Sequence, residues 1–238
     1  YYRDSEDGQA QADLNRLMDG TFSNQEAGMP EGTVHSELLR RPGKLYVLAS
    51  HFHPDHFNKE VLQWREQRPD IIYIFSKDIL RHRRAQKEDA VWLKKGEEYK
   101  DETLSVRAFG STDVGVSFLL QASGKKIFHA GDLNNWHWMD ESTEAEWKGA
   151  EKNFLHELDD LYAYTPEVDV AMFPVDPRLG KEYMRGAGQF VTKIKTHIFV
   201  PMHFTPEYAK ANAFRDFAEA HGVRFVSLTH RGQKIEIE

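Results

Sequence analysis

Three histidines and an aspartate lie close together in the stretch A-S-H-F-H-P-D-H-F-N. In an extended backbone, residues i and i+2 point to the same side, so His51 and His53 could bind one metal ion together. Pro54 favours an extended conformation of His53 and begins a turn, which would direct Asp55 and His56 elsewhere. The stretch therefore predicts a metal-binding loop that supplies ligands to two neighbouring sites.

The alternative interpretation of this stretch is a polar loop between a strand and a helix, with solvated histidines. The spacing of the histidines, the acid between them and the apolar run K-L-Y-V-L-A-S before them favour a metal site.

Two further polar residues stand at the ends of apolar runs that are typical of buried strands. Asp132 lies in H-A-G-D-L, and His203 lies in F-V-P-M-H-F. Taken alone, the aspartate could equally cap a turn, and the histidine could pack beside Phe204. Together with the first loop, they indicate a shared metal centre.

The order of these motifs resembles that of the metallo-β-lactamase superfamily, in which H-x-H-x-D-H after a strand is followed by G-D and by a late histidine. The match runs from about residue 44 to about residue 205. Within the superfamily, H-A-G-D-L-N-N-W-H-W and P-M-H-F are most similar to the group that contains the ascorbate-phosphate lactonases. The resemblance implies an α+β fold, a four-layer αββα sandwich with the metal site at one edge between the sheets.

The resemblance also implies how two metal ions would share their ligands. The first ion would be bound by His51 and His53, the second by Asp55, His56 and His203, and Asp132 would bridge the two ions.

The chain departs from the family pattern where the first ion usually receives one more histidine. The corresponding stretch, F-G-S-T-D-V-G, contains no histidine. Candidates for an additional ligand are Asp113, His129 and His137. His129 could instead hydrogen-bond to a ligand, and His137 could instead be stacked in an aromatic cluster. Water could also complete this first site, or the site could stay incomplete.

Histidine and carboxylate ligands predict hydrolytic chemistry. The chain has no cysteine, so any metal must be held by nitrogen and oxygen atoms. This donor set suits one or two divalent ions, zinc first, with manganese, iron and nickel as alternatives. A bound divalent ion lowers the pKa of its water to about 7, and the resulting hydroxide could attack a carbonyl or phosphoryl centre. Asp55 and Asp132 are the predicted catalytic residues, and Asp55 would also orient the nucleophile.

Arg178 is the predicted substrate-binding residue. It lies in D-P-R just after the apolar run 168–173, and its planar guanidinium suits a carboxylate or phosphate group. The alternative is a loop staple in which Arg178 pairs with Asp176.

We therefore predict a metal-dependent hydrolase of a small ester-like substrate, in the lactone or phosphodiester class. One alternative is a nuclease of the same superfamily, which the net charge of -7 and the lack of a basic arm disfavour. Another is a non-catalytic metal-dependent binding or sensing module. We expect neither a nucleic-acid nor a membrane partner, and the sequence does not predict the oligomeric state.

The elements that must position these residues alternate between strands and helices, with three consecutive strands in the middle, which favours a layered α+β domain. Predicted strands cover residues 44–50, 71–75, 103–109, 115–121, 125–129, 168–173, 197–202, 224–228 and 233–237. Predicted helices cover residues 58–68, 142–163 and 206–221, and another starts at residue 76.

The length and the 40% hydrophobic content predict one globular domain over residues 1–238. Residues 1–33 are polar and predict a loop or excursion with a helix at 10–18. We expect the family's usual N-terminal strand pair to be absent from this chain. The lack of cysteine and of a signal peptide predicts a cytoplasmic protein.

Overall fold

The computed structural model describes residues 33–204 and 206–237. In this part of the chain the residues form two compact units. The smaller contains residues 33–92 and 230–237, and the larger contains residues 93–229 apart from residue 205. The predicted helix at 10–18, most of the predicted excursion and the expected N-terminal departure lie outside the described residues. The assignment of the whole chain to one domain stays a prediction.

The smaller unit is built on a three-stranded sheet in the order β1-β2-β3, in which β1 and β2 are parallel. The strands are β1 (Tyr46–Ala49), β2 (Ile72–Ser76) and β3 (Val91–Leu93). The α-helices are α1 (Ser36–Leu39) and α2 (Lys77–Arg81), and 3₁₀ helices cover Lys59–Glu66 and Lys87–Asp89.

Capping side chains set where the helices of the smaller unit begin. The Asn58 side chain accepts a hydrogen bond from the Glu60 amide, and the Ser76 hydroxyl accepts one from the Asp78 amide. The predicted helix after Asn58 is a 3₁₀ helix that ends at Glu66. The buried Arg68 guanidinium then donates to the carbonyls of Leu39 and Arg41, which fixes the segment that leads into β1.

The larger unit is built on a seven-stranded sheet in the order β10-β9-β8-β7-β6-β5-β4. Strands β4 to β7 pair antiparallel and β7 to β10 pair parallel. The strands are β4 (Glu98–Lys100), β5 (Ser105–Phe109), β6 (Ser117–Ala122), β7 (Lys125–His129), β8 (Glu167–Pro174), β9 (Lys195–Met202) and β10 (Arg224–Phe225). The α-helices are α3 (Glu144–Tyr164), α4 (Arg185–Lys193), α5 (Tyr208–Asn212) and α6 (Arg215–Ala220), and a 3₁₀ helix covers Pro177–Glu182.

Helix α3 contributes one apolar face to the core of the larger unit. Phe154, Leu158 and Leu161 recur at helical spacing and are fully buried. A capping box between Thr143 and Glu146 begins the helix. None of the helices in the described ranges combines the length and the apolarity that crossing a bilayer requires.

Three sequence predictions need correction. The predicted strand at 233–237 is wrong, because those residues form no strand and Ile237 is 42% exposed. Alternating apolar and polar residues can give a strand one apolar face. A strand also needs backbone hydrogen bonds to a neighbouring strand. The predicted helix at 206–221 is two short helices, α5 and α6. Strands β3 and β4 were not predicted, since each spans only three residues in a charged stretch.

Replacing Leu158 with alanine is expected to destabilise the protein by about 2–5 kcal/mol, because the cavity would open in a close-packed core. Leu155→Ala is the matched control, since Leu155 lies on the same helix but is only partly buried. Denaturant unfolding of both variants measures the difference. Equal losses of stability would contradict the assignment of the buried face.

Candidate metal centre

The loop after β1 brings the first three predicted histidines together. The Ser50 hydroxyl lies 3.1 Å from Nδ1 of His51 and 3.3 Å from Nδ1 of His56. One ring nitrogen of His51 and one of His53 lie within 4.8 Å of each other, close enough to bind the same ion. The rings of His51 and His56 are 4.0 Å apart. The i, i+2 spacing therefore does place His51 and His53 on one side.

A turn at Pro54 directs the second half of the loop. The amides of His56 and Phe57 both donate to the His53 carbonyl, at 3.0 and 2.8 Å. Asp55 then lies with a carboxylate oxygen 3.3 Å from Nε2 of His56. The loop thus offers a second pair of ligand atoms, from Asp55 and His56, beside the first pair.

Helix α2 holds the start of this loop. The Asp78 carboxylate accepts a hydrogen bond of 3.0 Å from the Phe52 amide. The Phe52 ring is stacked on His82 at 3.7 Å. Because Phe52 lies between the two first histidines, these contacts fix the backbone from which both side chains project.

In the larger unit, polar residues follow the ends of three parallel strands and lie at one edge of the sheet. Strands β7, β8 and β9 are neighbours in the sheet, and Asp132, Asp176 and His203 each follow the carboxyl end of one of them. Carboxyl ends of parallel strands lie at the same sheet edge. Nε2 of His203 is accordingly 3.4 Å from a carboxylate oxygen of the buried Asp132.

Asp176 orients the ring of His203. Its fully buried carboxylate accepts a hydrogen bond of 2.9 Å from Nδ1 of His203, which leaves the lone pair on Nε2. Arg178 donates to both carboxylate oxygens of Asp176 through Nε and Nη2, as a loop staple. Burial alone would raise the pKa of the Asp176 carboxyl, but the hydrogen bonds from His203 and Arg178 outweigh it and hold that pKa below its ordinary value.

The backbone at His203 adopts a left-handed conformation, with φ at 60°. For a residue other than glycine this costs on the order of 1 kcal/mol, and such strain concentrates at functional sites. The Trp136 ring contacts the His203 ring edge to face at 5.6 Å, and the Trp136 indole donates to the Asp132 carbonyl. Trp136 therefore links the two strand-end loops.

The three candidates for an additional ligand differ in their contacts. A carboxylate oxygen of Asp113 lies within 4.8 Å of one of Asp132. His129 accepts a hydrogen bond from the Gly131 amide at Nδ1, and His137 accepts one from the Met139 amide at Nδ1 and donates to the Glu182 carbonyl from Nε2. A neutral imidazole has one lone pair, so these contacts favour hydrogen-bonding roles for both histidines.

Sequence reasoning missed the role of Asp176 as the partner of His203 and that of Ser50 as the link between His51 and His56. The position of Asp176 after β8 was a usable signal, because β8 lies beside β9, the strand that precedes His203. Ser50 had no such signal, since serine at the end of a strand is common.

Comparison with known families identifies the fold. A sequence model described as β-lactamase superfamily domain matches residues 33–204, well over half of the chain. The chain belongs to the β-lactamase superfamily. No curated protein sequence matches this superfamily member significantly.

Solved structures share its fold at low sequence identity. Igni18, a metallo hydrolase from Ignicoccus hospitalis, is 18% identical over 79% of this chain and 77% of its own, with a TM-score of 0.52. YhfI from Bacillus subtilis is 12% identical, and the match covers 79% of this chain and 76% of YhfI, with a TM-score of 0.51. CmlA, a diiron β-hydroxylase from Streptomyces venezuelae, is 14% identical over 79% and 44%, with a TM-score of 0.53. The predicted metallo-β-lactamase fold is thereby confirmed.

Replacing Asp176 with asparagine is expected to weaken metal binding by about 10- to 100-fold, because the ring of His203 would lose its charged hydrogen-bond acceptor. Titration with Zn²⁺ against a chelating indicator measures the affinity. Asp169→Asn is the control, because Asp169 lies on β8 itself and accepts a hydrogen bond from the Lys126 amide. Equal weakening in both variants would contradict the role of Asp176.

Proposed function

We propose that this protein is a metal-dependent hydrolase that binds one or two divalent ions. The observation that carries the proposal is the pairing of ligand atoms within each unit. His51 pairs with His53 in one unit, and Asp132 approaches both Asp113 and His203 in the other. Membership of the β-lactamase superfamily supports the same assignment.

The proposed ligand set uses only histidine nitrogens and carboxylate oxygens. The proposed ligands are His51, His53, Asp55 and His56 in the smaller unit, and Asp113, Asp132 and His203 in the larger unit. This donor chemistry fits zinc first, and also manganese, iron or nickel. When bound, such an ion acidifies a water molecule and polarises a carbonyl or phosphoryl oxygen.

Three acidic residues of the chain would orient the ligands and accept a proton. Asp176 holds the proton on Nδ1 of His203 and so fixes the orientation of the ring. Asp55 lies next to His56, where its carboxylate would accept a proton from the attacking nucleophile. The buried position of Asp132 limits the motion of its carboxylate. These roles together would preorganise the site for attack on an ester-like centre.

The proposed substrate is a small molecule with an ester-like bond, in the lactone or phosphodiester class. Similarity of two motifs to the ascorbate-phosphate lactonase group supports the lactone class. The net charge of -7 argues against a nucleic-acid substrate, because phosphate backbones require a cationic surface. That Arg178 also binds an anionic group of the substrate stays a prediction, since its guanidinium pairs with Asp176.

Replacing Asp132 with alanine is expected to abolish metal binding and hydrolysis, because a buried proposed ligand is removed. Metal content after metal-replete purification and hydrolysis of lactones and bis-aryl phosphates are the two measurements. Asp159→Ala, which removes an exposed carboxylate of α3 paired with Lys193, should change neither. Retention of metal and activity by Asp132→Ala would refute the proposal.

The additional ligand can be identified by a second set of variants. Asp113→Ala is expected to lower metal affinity by about tenfold or more, because a direct ligand is lost. His137→Phe should leave the affinity unchanged, since both ring nitrogens of His137 bond to backbone groups. The opposite pattern of affinities would assign the ligand to His137.

A further inference from the structure

The loop that carries Asp132 is unusual in being buried. Residues 131–135 all lie out of solvent, and Asn134 and Asn135 are fully buried. Loops normally run over the surface, because their backbone polar groups need partners. A buried polar loop must therefore be held by specific hydrogen bonds from the elements around it.

One set of bonds fixes this loop to the neighbouring loop that contains Asp113. The Thr112 hydroxyl donates to the Asn134 carbonyl at 2.5 Å and accepts from the Asn134 amide at 3.0 Å. The Asn134 side chain in turn accepts from the Asn135 amide at 2.8 Å. These hydrogen bonds fix the position of the loop that contains Asp132 relative to the loop that contains Asp113.

A second set of bonds fixes the loop to helices α3 and α4. The Asn135 side-chain amide donates to Glu151 of α3 at 3.0 Å and to Gln189 of α4 at 2.9 Å. Gln189 also donates to the Glu151 carboxylate at 3.0 Å. Arg185 of α4 donates to both Glu151 oxygens. Asn135 therefore bonds to a charged acceptor, Glu151, that also accepts hydrogen bonds from two residues of α4.

Charge strengthens this cluster. The hydrogen bond from Arg185 is the largest influence on Glu151, and it holds the pKa of that carboxyl below its ordinary value. Glu151 is therefore ionised at neutral pH, and hydrogen bonds to an ionised acceptor are about twice as strong as neutral ones.

Two observations set this cluster apart from ordinary core packing. A Cβ atom at Gly186 would collide with the Asn134 side-chain oxygen, so the approach of α4 to the loop depends on that glycine. Oδ1 of Asn135 and Nδ2 of Asn134 are buried without a hydrogen-bond partner in the described part of the chain. Because such burial costs stability, the two asparagines point to a role other than packing.

We propose that Glu151 is a positioning residue that acts through Asn135 to hold Asp132 at the metal centre. Asn135 lies three residues after Asp132, and Trp136 beside it bonds to the Asp132 carbonyl. The inference rests on the proposed function, because it needs Asp132 to be a metal ligand.

The test is the metal affinity of Glu151→Gln in the full chain, measured by Zn²⁺ titration against a chelating indicator. We expect affinity to fall by about tenfold, the lower end of the loss when the direct hydrogen-bond partner of a ligand is removed, because Glu151 acts through Asn135. The absorption spectrum of the Co²⁺-loaded variant should also change, because the ligand geometry is altered. Glu157→Gln is the control, since Glu157 lies on the same helix with similar exposure and pairs with Lys95 instead.

Asn135→Leu separates positioning from folding. It removes both bonds to the helices but leaves Glu151 with its bonds from Arg185 and Gln189. We expect the metal-free variant to keep a cooperative thermal unfolding transition and its metal affinity to fall.

The outcomes distinguish the two proposals. Unchanged affinity in Glu151→Gln and Asn135→Leu, with metal lost in Asp132→Ala, would overturn the positioning role alone. Equal weakening in Glu151→Gln and Glu157→Gln would overturn it too. Metal retained in Asp132→Ala would overturn the proposed function instead.

Discussion

The parallel register of β7, β8 and β9 is the constraint on which the larger unit's polar cluster depends. Each strand ends in a short loop, and the hydrogen-bond ladder brings the loops of Asp132, Asp176 and His203 to one edge. Side chains alternate along a strand, so a slip of one residue would turn every side chain of that strand to the other face. The apolar residues of these strands, which are buried on the core side, prevent such a slip. Packing in the core therefore determines the positions of the proposed ligands.

The carboxylates at and near the proposed site differ in burial and in the cations that lie beside them. Asp113, which is exposed, and Asp132, which is buried, have carboxylate oxygens within 4.8 Å of each other. The negative charge of the fully buried Asp176 is balanced by contacts with His203 and Arg178, and that of Glu151 by contact with Arg185. A bound divalent cation would balance the negative charges of Asp113 and Asp132 in the same way. Asp176 and Glu151, the two acids that orient other residues, thus each have an arginine beside them.

The sequence predicted the strands that end in proposed ligands to within about two residues, because buried strands before histidine or aspartate give a strong local pattern. It also predicted a helix at 142–163, which corresponds to α3 (Glu144–Tyr164). It did not predict that Asp176 holds His203 or that Glu151 holds Asn135, since these hydrogen bonds join residues far apart in the chain. The strand predicted at 233–237 was wrong, because a strand also requires hydrogen bonds from a neighbouring strand. CmlA, which shares the fold and is a diiron β-hydroxylase, shows that the fold does not determine the reaction.

X-ray absorption spectroscopy of the zinc-loaded full chain measures whether histidine and carboxylate side chains bind the metal. We expect nitrogen and oxygen atoms at about 2.0–2.2 Å from zinc, with more distant scattering from several imidazole rings and no sulfur. His51→Ala should reduce the imidazole contribution, because it removes one of the proposed ligands. A zinc environment without imidazole scattering, or a spectrum unchanged by His51→Ala, would refute a histidine-bound metal centre.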